Sequence, residues 1–96
     1  MPISIGYYLS LLNNLMYMKP REIKPEHQEL MKEIGRRIKK LRTDRELSYI
    51  EMAKAIGISR NAYNAIERGN VYFNFSSLLL IAKYHTISIS KLIDGL

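Results

Sequence analysis

The sequence predicts an all-α protein, and three observations lead to that fold class. Apolar residues recur at spacings of three and four over most of the chain after Glu26. Capping serines and terminating glycines divide this region into short segments. No segment alternates apolar and polar residues between turn signals, so no β-sheet is expected. A chain of 96 residues therefore forms one small bundle of short helices.

The first 18 residues, MPISIGYYLSLLNNLMYM, differ from the rest because they carry no charged side chain. A membrane anchor is not expected, since Asn13 and Asn14 would be costly in hydrocarbon. A secretory signal is not expected either, because no basic start and no cleavage site are present. Four apolar residues recur every fourth position, as on a helix that docks onto the domain or a partner subunit: Ile3, Tyr7, Leu11 and Leu15.

Pro20 and Pro25 mark a polar connector after this apolar segment. We therefore divide the chain into an N-terminal segment with its connector, residues 1–25, and a helical domain, residues 26–96. The first domain helix is expected to end near Asp44. Its apolar stripe comprises Leu30, Ile34, Ile38 and Leu41, which fall within an arc of about 80°. The remaining faces are mostly basic.

Two further helices follow at short intervals. Ser48 and Glu51 have the spacing of a capping box, and Gly57 ends the helix that they begin. Ser59 caps a third helix, which runs to Arg68 before Gly69. Each boundary rests on a residue type with a known local preference.

The last two helices are short. Ser76 or Ser77 is expected to cap the fourth helix, LLLIAKYH, and Ser88 or Ser90 the fifth, ISKLID. Leu80 and Tyr84 give the fourth helix a second apolar side, which something must cover. The charge-free N-terminal segment is the candidate cover.

The third helix has two contrasting sides at 100° per residue. One side carries Ala62, Tyr63 and Ile66, and the other carries Arg60, Asn61, Asn64, Ala65 and Arg68. Arg and Asn have the forked donors and acceptors that match guanine and adenine edges in the major groove. The pattern favours a helix that enters the DNA groove over the alternative of an ordinary solvated face.

The spacing of four packing residues supports this interpretation. Ala53, Gly57, Tyr63 and Ile66 stand at positions 5, 9, 15 and 18 counted from Tyr49. With the segments IGRRIKKLR, LSYIEMAKAIGIS, IERG and SSLLLIAK in order, residues 34–96 resemble the phage-repressor-like, Xre/Cro-type helix-turn-helix family, also called lambda-repressor-like.

The resemblance implies a compact five-helix domain whose third helix reads double-stranded DNA, usually as a homodimer on a palindromic operator. Base readout is carried over to Arg60, Asn61, Asn64 and Ala65. Contacts to the DNA backbone are carried over to Ser48, Tyr49, Arg68, Asn70 and Tyr72. Arg42 and Glu67 would form a structural salt bridge between the first and third helices.

This sequence departs from the family pattern at three places, one of which is Leu80, at a position that is usually polar. Tyr49 stands where Gln is common, so a hydroxyl rather than an amide would reach the phosphate. The loop around Phe73 lacks the proline that is usual there.

Composition narrows the function classes. The net charge of +6 and the pI near 9.7 fit a polyanionic partner. No Cys is present, and His27 and His85 lie far apart, so no metal site and no cofactor are expected. No nucleophile is placed beside a base, so no enzyme is expected.

We therefore expect a cytoplasmic DNA-binding regulator, with repression favoured. Restriction–modification controllers are a variant of this regulatory function. The alternative from another class is an antitoxin, a protein-interaction module that also binds DNA and whose N-terminal segment binds a toxin.

Overall fold

The computed structural model describes residues 5–6 and 22–96, and these residues are helical or irregular, without a strand. From residue 22 onward there are five helices: α1 Pro25–Asp44, α2 Tyr49–Ile56, α3 Arg60–Arg68, α4 Phe75–Tyr84 and α5 Ile89–Leu92. The predicted all-α fold with five domain helices is confirmed. Within the described part of the chain, no helix combines the length and apolar character needed to cross a membrane.

The predicted ends of α2 are confirmed. The Ser48 hydroxyl accepts a hydrogen bond from the Glu51 amide at 3.1 Å, and the Glu51 carboxylate accepts one from the Ser48 amide at 3.3 Å. This reciprocal pair satisfies two amides that a helix start leaves without a partner. Gly57 ends the helix with a φ of 77°, a left-handed conformation that favours glycine.

The predicted ends of α3 are confirmed as well. The Ser59 hydroxyl accepts a hydrogen bond from the Ala62 amide at 3.1 Å. Gly69 has a φ of 69°, and the next amide, that of Asn70, donates to the Ala65 carbonyl at 3.0 Å. This reverse bond closes the helix end and fixes where the chain leaves α3.

The start of α4 differs from the prediction. Asn74 is the cap, its side-chain oxygen accepting hydrogen bonds from the Ser76 amide at 2.8 Å and the Ser76 hydroxyl at 2.5 Å. Neither Ser76 nor Ser77 begins the helix, because Asn is as good a cap as Ser and the Asn74 side chain is the one that bonds an amide of the first helical turn. For α5, Ser88 rather than Ser90 is the cap, since its hydroxyl accepts from the Lys91 amide at 3.1 Å.

The core lies where α1, α2 and α3 meet under α4 and α5. Its buried apolar members are Met31, Ile34, Ile38, Met52, Ala53, Ile56, Tyr63, Ile66, Ile81 and Leu92. The predicted stripe of α1 is wrong at one position, because Leu30 is 39% exposed whereas Met31 is buried. The other members keep their places, since Ile34 and Ile38 are buried and Leu41 packs against the core.

Two glycines bring α1 and α3 into backbone contact. A Cβ atom on Gly35 would lie 2.7 Å from the Ile66 carbonyl oxygen and nearer still to that of Glu67. A Cβ on Gly69 would lie 2.7 Å from the Lys32 Cα. Such distances leave no room for a side chain, so the end of α3 rests directly on the middle of α1.

The second apolar side predicted for α4 is exposed at one of its two residues: Leu80 is 43% exposed, whereas Tyr84 is partly buried and packs against the core. Phe75 and Leu79 of the same helix are also exposed. The predicted cover, residues 1–18, lies outside the described residues except for Ile5 and Gly6, which are helical and exposed. That docking stays a prediction.

Candidate nucleic-acid interface

One face of α3 is buried and the other is open. Tyr63 is fully buried and Ile66 is 5% exposed, so both anchor the helix in the core. On the opposite side Arg60 and Asn61 are exposed, and Asn64 is half-buried. Among the described residues no hydrogen bond or ion pair holds these three side chains. Their donors and acceptors are therefore accessible to a ligand.

The flat position on this face is Ala65, which is half-buried. Its methyl group keeps the surface low between the longer polar side chains. A low, partly apolar position suits close approach of a groove floor or contact with a thymine methyl group.

An ion pair sets the orientation of α3 against α1. Arg42 donates from Nε to Glu67 Oε1 at 2.5 Å and from Nη2 to Glu67 Oε2 at 3.1 Å. The guanidinium also donates to the Leu47 carbonyl at 2.7 Å, which connects it to the start of α2. The side chains of Arg42 and Glu67 are 12% and 5% exposed, so this pair is largely shielded from solvent. The Arg42–Glu67 salt bridge is present in the structure.

Tyr63 completes this network, a role that sequence reasoning did not assign. Its hydroxyl donates to Glu67 Oε1 at 3.0 Å. Burial, followed by the neighbouring Glu67 carboxylate, raises the pKa of Tyr63, so the phenol stays protonated and remains a donor. The hydrogen bond to Glu67 likewise raises the pKa of Arg42. The i, i+4 spacing of Tyr63 and Glu67 was the available signal.

The other predicted contact residues lie at the ends of α2 and α3. Ser48 and Tyr49 form the exposed start of α2, where the Tyr49 side chain is 37% exposed. Arg68 and Asn70 are exposed on either side of Gly69. Helix starts and exposed Arg and Asn side chains suit phosphate contacts, which position a protein without reading sequence.

Tyr72 is placed differently from the other predicted backbone-contact residues. Its half-buried hydroxyl accepts a hydrogen bond from the Lys24 amide at 3.1 Å and lies 2.8 Å from His27 Nδ1. The His27 and Tyr72 rings meet edge to face with centroids 5.8 Å apart. Any phosphate contact by this hydroxyl would therefore share it with the start of α1. No local pattern predicts this pairing, because the two residues are 45 positions apart in the chain.

The family model that matches this chain is a helix-turn-helix model, and two matching curated relatives are transcriptional regulators. A family model described as helix-turn-helix matches residues 38–92. The HTH-type transcriptional activator BcrR of Enterococcus faecalis is 32% identical over 63 residues, which are 66% of this chain and 31% of that protein. The cryptic phage CTXphi transcriptional repressor RstR of Vibrio cholerae is 32% identical over 58 residues, 60% of this chain and 52% of that protein. The chain thus spans between about a third and about half of the length of these relatives.

A solved structure agrees with the sequence matches. The crystal structure of the restriction-modification controller protein C.AhdI from Aeromonas hydrophila superposes with a TM-score of 0.61 at 27% identity. The match covers 65% of this chain and 94% of that one. With α2 and α3 arranged as described and a family model covering more than half of the sequence, the chain belongs to the Xre and lambda-repressor-like helix-turn-helix family.

Proposed function

We propose that this protein is a sequence-specific DNA-binding transcriptional regulator that reads the major groove with α3. One observation carries the proposal: α3 buries Tyr63 and Ile66 while it leaves Arg60, Asn61 and Asn64 on the opposite face without internal partners among the described residues. A helix presenting such side chains has the width and the chemistry that the major groove admits.

Each residue on the open face has a distinct part in this proposal. Arg60 would pair with guanine O6 and N7, while Asn61 or Asn64 would pair with adenine N6 and N7. Ala65 would contact a thymine methyl group or allow close approach. The Arg42–Glu67 ion pair lies behind the face and would hold α3 at a fixed angle.

Contacts to the DNA backbone would surround this reading face. The start of α2, with Ser48 and Tyr49, would hold one phosphate through its amides and hydroxyls. Arg68 and Asn70, at the end of α3 and just after it, would hold a second phosphate. Tyr72 would add a contact through its hydroxyl, which also binds the Lys24 amide. These contacts set register and supply the salt-dependent part of the affinity.

We further propose that the protein acts in the cytoplasm as a homodimer on a palindromic site, with two copies of α3 in successive major grooves about 34 Å apart. Repression is the favoured outcome, and the name of the matched phage relative, a transcriptional repressor, supports it. The other matched relative is named a transcriptional activator, so activation is the second possible outcome.

The alternative of an antitoxin that also binds DNA depends on a second protein. Phe75, Leu79 and Leu80 leave apolar surface exposed on α4, and such a surface is typical of a site that another protein or segment covers. Deletion of residues 1–18 separates the two possibilities. If the protein is an antitoxin, the deletion would abolish binding of the protein partner and leave the DNA affinity unchanged. If residues 1–18 form a dimerisation segment, the deletion would yield monomers that bind the operator weakly.

Arg60→Ala tests the assignment of base readout. Loss of a bidentate Arg–guanine pair is expected to cost about 1–3 kcal/mol of binding free energy and to relax preference at one base position. Titration of operator variants with purified protein at a stated salt concentration measures both effects. Unchanged affinity together with unchanged base preference would show that Arg60 does not read DNA.

A further inference from the structure

A polar hollow lies beside the C-terminal end of α3. It is lined by residues of the connector, of α1 and of the chain just after α3: Glu22, Ile23, Gln28, Lys32, Gly69 and Asn70. We call this the α1–α3 hollow. It contains Asn70, to which the proposed function assigns a phosphate contact, and it places two exposed polar side chains of α1 beside that residue.

Lys32 is distinguished from most of the basic residues of α1 by having no acidic partner. Of the five other Lys and Arg residues of α1, Lys39 likewise has no ion pair among the described residues, and four form ion pairs: Arg36 and Arg37 with Glu33, Lys40 with Asp44, and Arg42 with Glu67. Among the described residues no carboxylate lies within 4.0 Å of the Lys32 ammonium group. Of the α1 cations, Lys32 is the one that lines the α1–α3 hollow.

The position of Lys32 relative to α3 is fixed by the backbone. A Cβ on Gly69 would lie 2.7 Å from both the amide nitrogen and the Cα of Lys32. A few residues on, the Tyr72 hydroxyl binds the Lys24 amide and contacts His27 at the start of α1. The first turns of α1 and the chain that leaves α3 are therefore in direct contact, so a ligand between them can touch both.

We infer that the α1–α3 hollow is a phosphate-binding site for the DNA backbone, in which Lys32 supplies the charge and Gln28 an amide donor beside Asn70. This inference rests on the proposed function and extends its footprint from the helix-turn-helix unit onto α1. The carboxylate of Glu22 lines the same hollow and weakens the site, so its charge limits the affinity.

Lys32→Gln tests the site by removing one charge while preserving most of the side chain. Each phosphate contact contributes about 0.9 to the slope of log affinity against log salt. The variant is expected to lose about 0.9 of slope, which amounts to roughly fivefold weaker binding at 0.15 M salt if the contact contributes nothing at 1 M. The loss is expected to be equal on the selected operator and on random duplex DNA, because phosphates carry no sequence information.

Lys91→Gln is the matched control. Lys91 is exposed and lines a different hollow with Arg37 and Leu41, which lie about 140° and 180° around α1 from Lys32 at 100° per residue. The Lys91→Gln substitution changes the net charge of the protein by the same amount as Lys32→Gln, but it is expected to leave the salt slope unchanged. Lys32→Arg keeps the charge and is expected to have the salt slope of the unaltered protein. Glu22→Gln removes a negative charge from the hollow and is expected to raise the DNA affinity.

The outcomes separate this inference from the proposed function. If the unaltered protein binds a selected operator but Lys32→Gln and Lys91→Gln have the same salt slope, the hollow is not a phosphate site and the proposed function stands. If the unaltered protein shows no binding to duplex DNA at low salt, both fail. Melting temperatures of the variants within a degree or two of the parent would show that each is folded.

Discussion

At the scale of single residues, the side chains that face DNA in this account differ from those that hold the fold. Arg60 and Asn61 are exposed and have no hydrogen-bond or ion-pair partner among the described residues. Arg42 and Glu67, in contrast, form an ion pair that is largely shielded from solvent. The residue type alone does not separate these roles, because arginine occurs in both. Burial and the presence of a carboxylate partner separate them.

His85 is a buried residue with no part in the proposed interface. It is 6% exposed, and neither ring nitrogen has a hydrogen-bond partner within the described part of the chain. Burial, and then the nearby Arg45 guanidinium, lowers the pKa of His85 below its usual 6.5. The ring is therefore neutral in the folded protein near neutral pH, and protonation opposes folding.

The sign of the resulting pH dependence follows from linkage. Below about pH 6.5 the unfolded chain binds a proton at residue 85 that the folded chain does not, so stability falls as the pH decreases. His85→Leu is expected to remove this part of the decline. Urea unfolding of both proteins between pH 7.5 and 5.5 measures it. A parallel decline in the two proteins would assign the acid sensitivity to other groups.

At the scale of elements, the ends of α2 and α3 were predictable because local chemistry sets them. A capping serine and a left-handed glycine bound each helix, and both devices act within a few residues. The start of α4 was missed since Asn74, Ser76 and Ser77 are all good caps, and the choice among them depends on the path of the preceding loop. The stripe of α1 was misplaced at Leu30 because the position of α3 decides which side of α1 is buried.

The crossing of α1 and α3 leads to a prediction about Gly35. Helix propensity alone predicts that Gly35→Ala stabilises α1 by about 1 kcal/mol. The structure predicts the opposite sign, because the new Cβ would overlap the carbonyl groups at the end of α3. Overpacking of this kind is expected to cost about 1–3 kcal/mol of unfolding free energy.

Chemical unfolding of Gly35→Ala decides between these signs. Gly57→Ala is a useful comparison, since Gly57 has a φ of 77° but nothing within 4 Å of the added atom. Its cost would be conformational strain alone, on the order of 1 kcal/mol. A Gly35→Ala protein more stable than the parent would mean that α1 and α3 do not approach as closely as described.

At the scale of the whole molecule, the positive charge is distributed unevenly between paired and unpaired side chains. The net charge of +6 favours any polyanion and carries no specificity by itself. Four of the basic residues of α1 are already occupied by ion pairs. The proposed binding surface is therefore smaller than the net charge suggests, and it centres on α3 with its flanking loop.

Sequence patterns predicted the family, which the comparisons confirm, and the helix proposed to read DNA, but not which distant residues lie together. The contact of His27 with Tyr72 and the α1–α3 hollow both join residues that are more than 35 positions apart. Hydrophobic periodicity and capping residues are local signals, so they do not predict contacts between residues this far apart. They follow from the close backbone packing that Gly35 and Gly69 allow.

Base reading by α3 is best examined by selection from random duplex DNA at a fixed salt concentration. We expect enrichment of a palindrome whose half-sites lie about one helical turn apart, with one base position relaxed when the selection is repeated with Arg60→Ala. Recovery of sequences with no shared motif, or of the same motif with equal strength from Arg60→Ala, would show that α3 does not read bases as proposed.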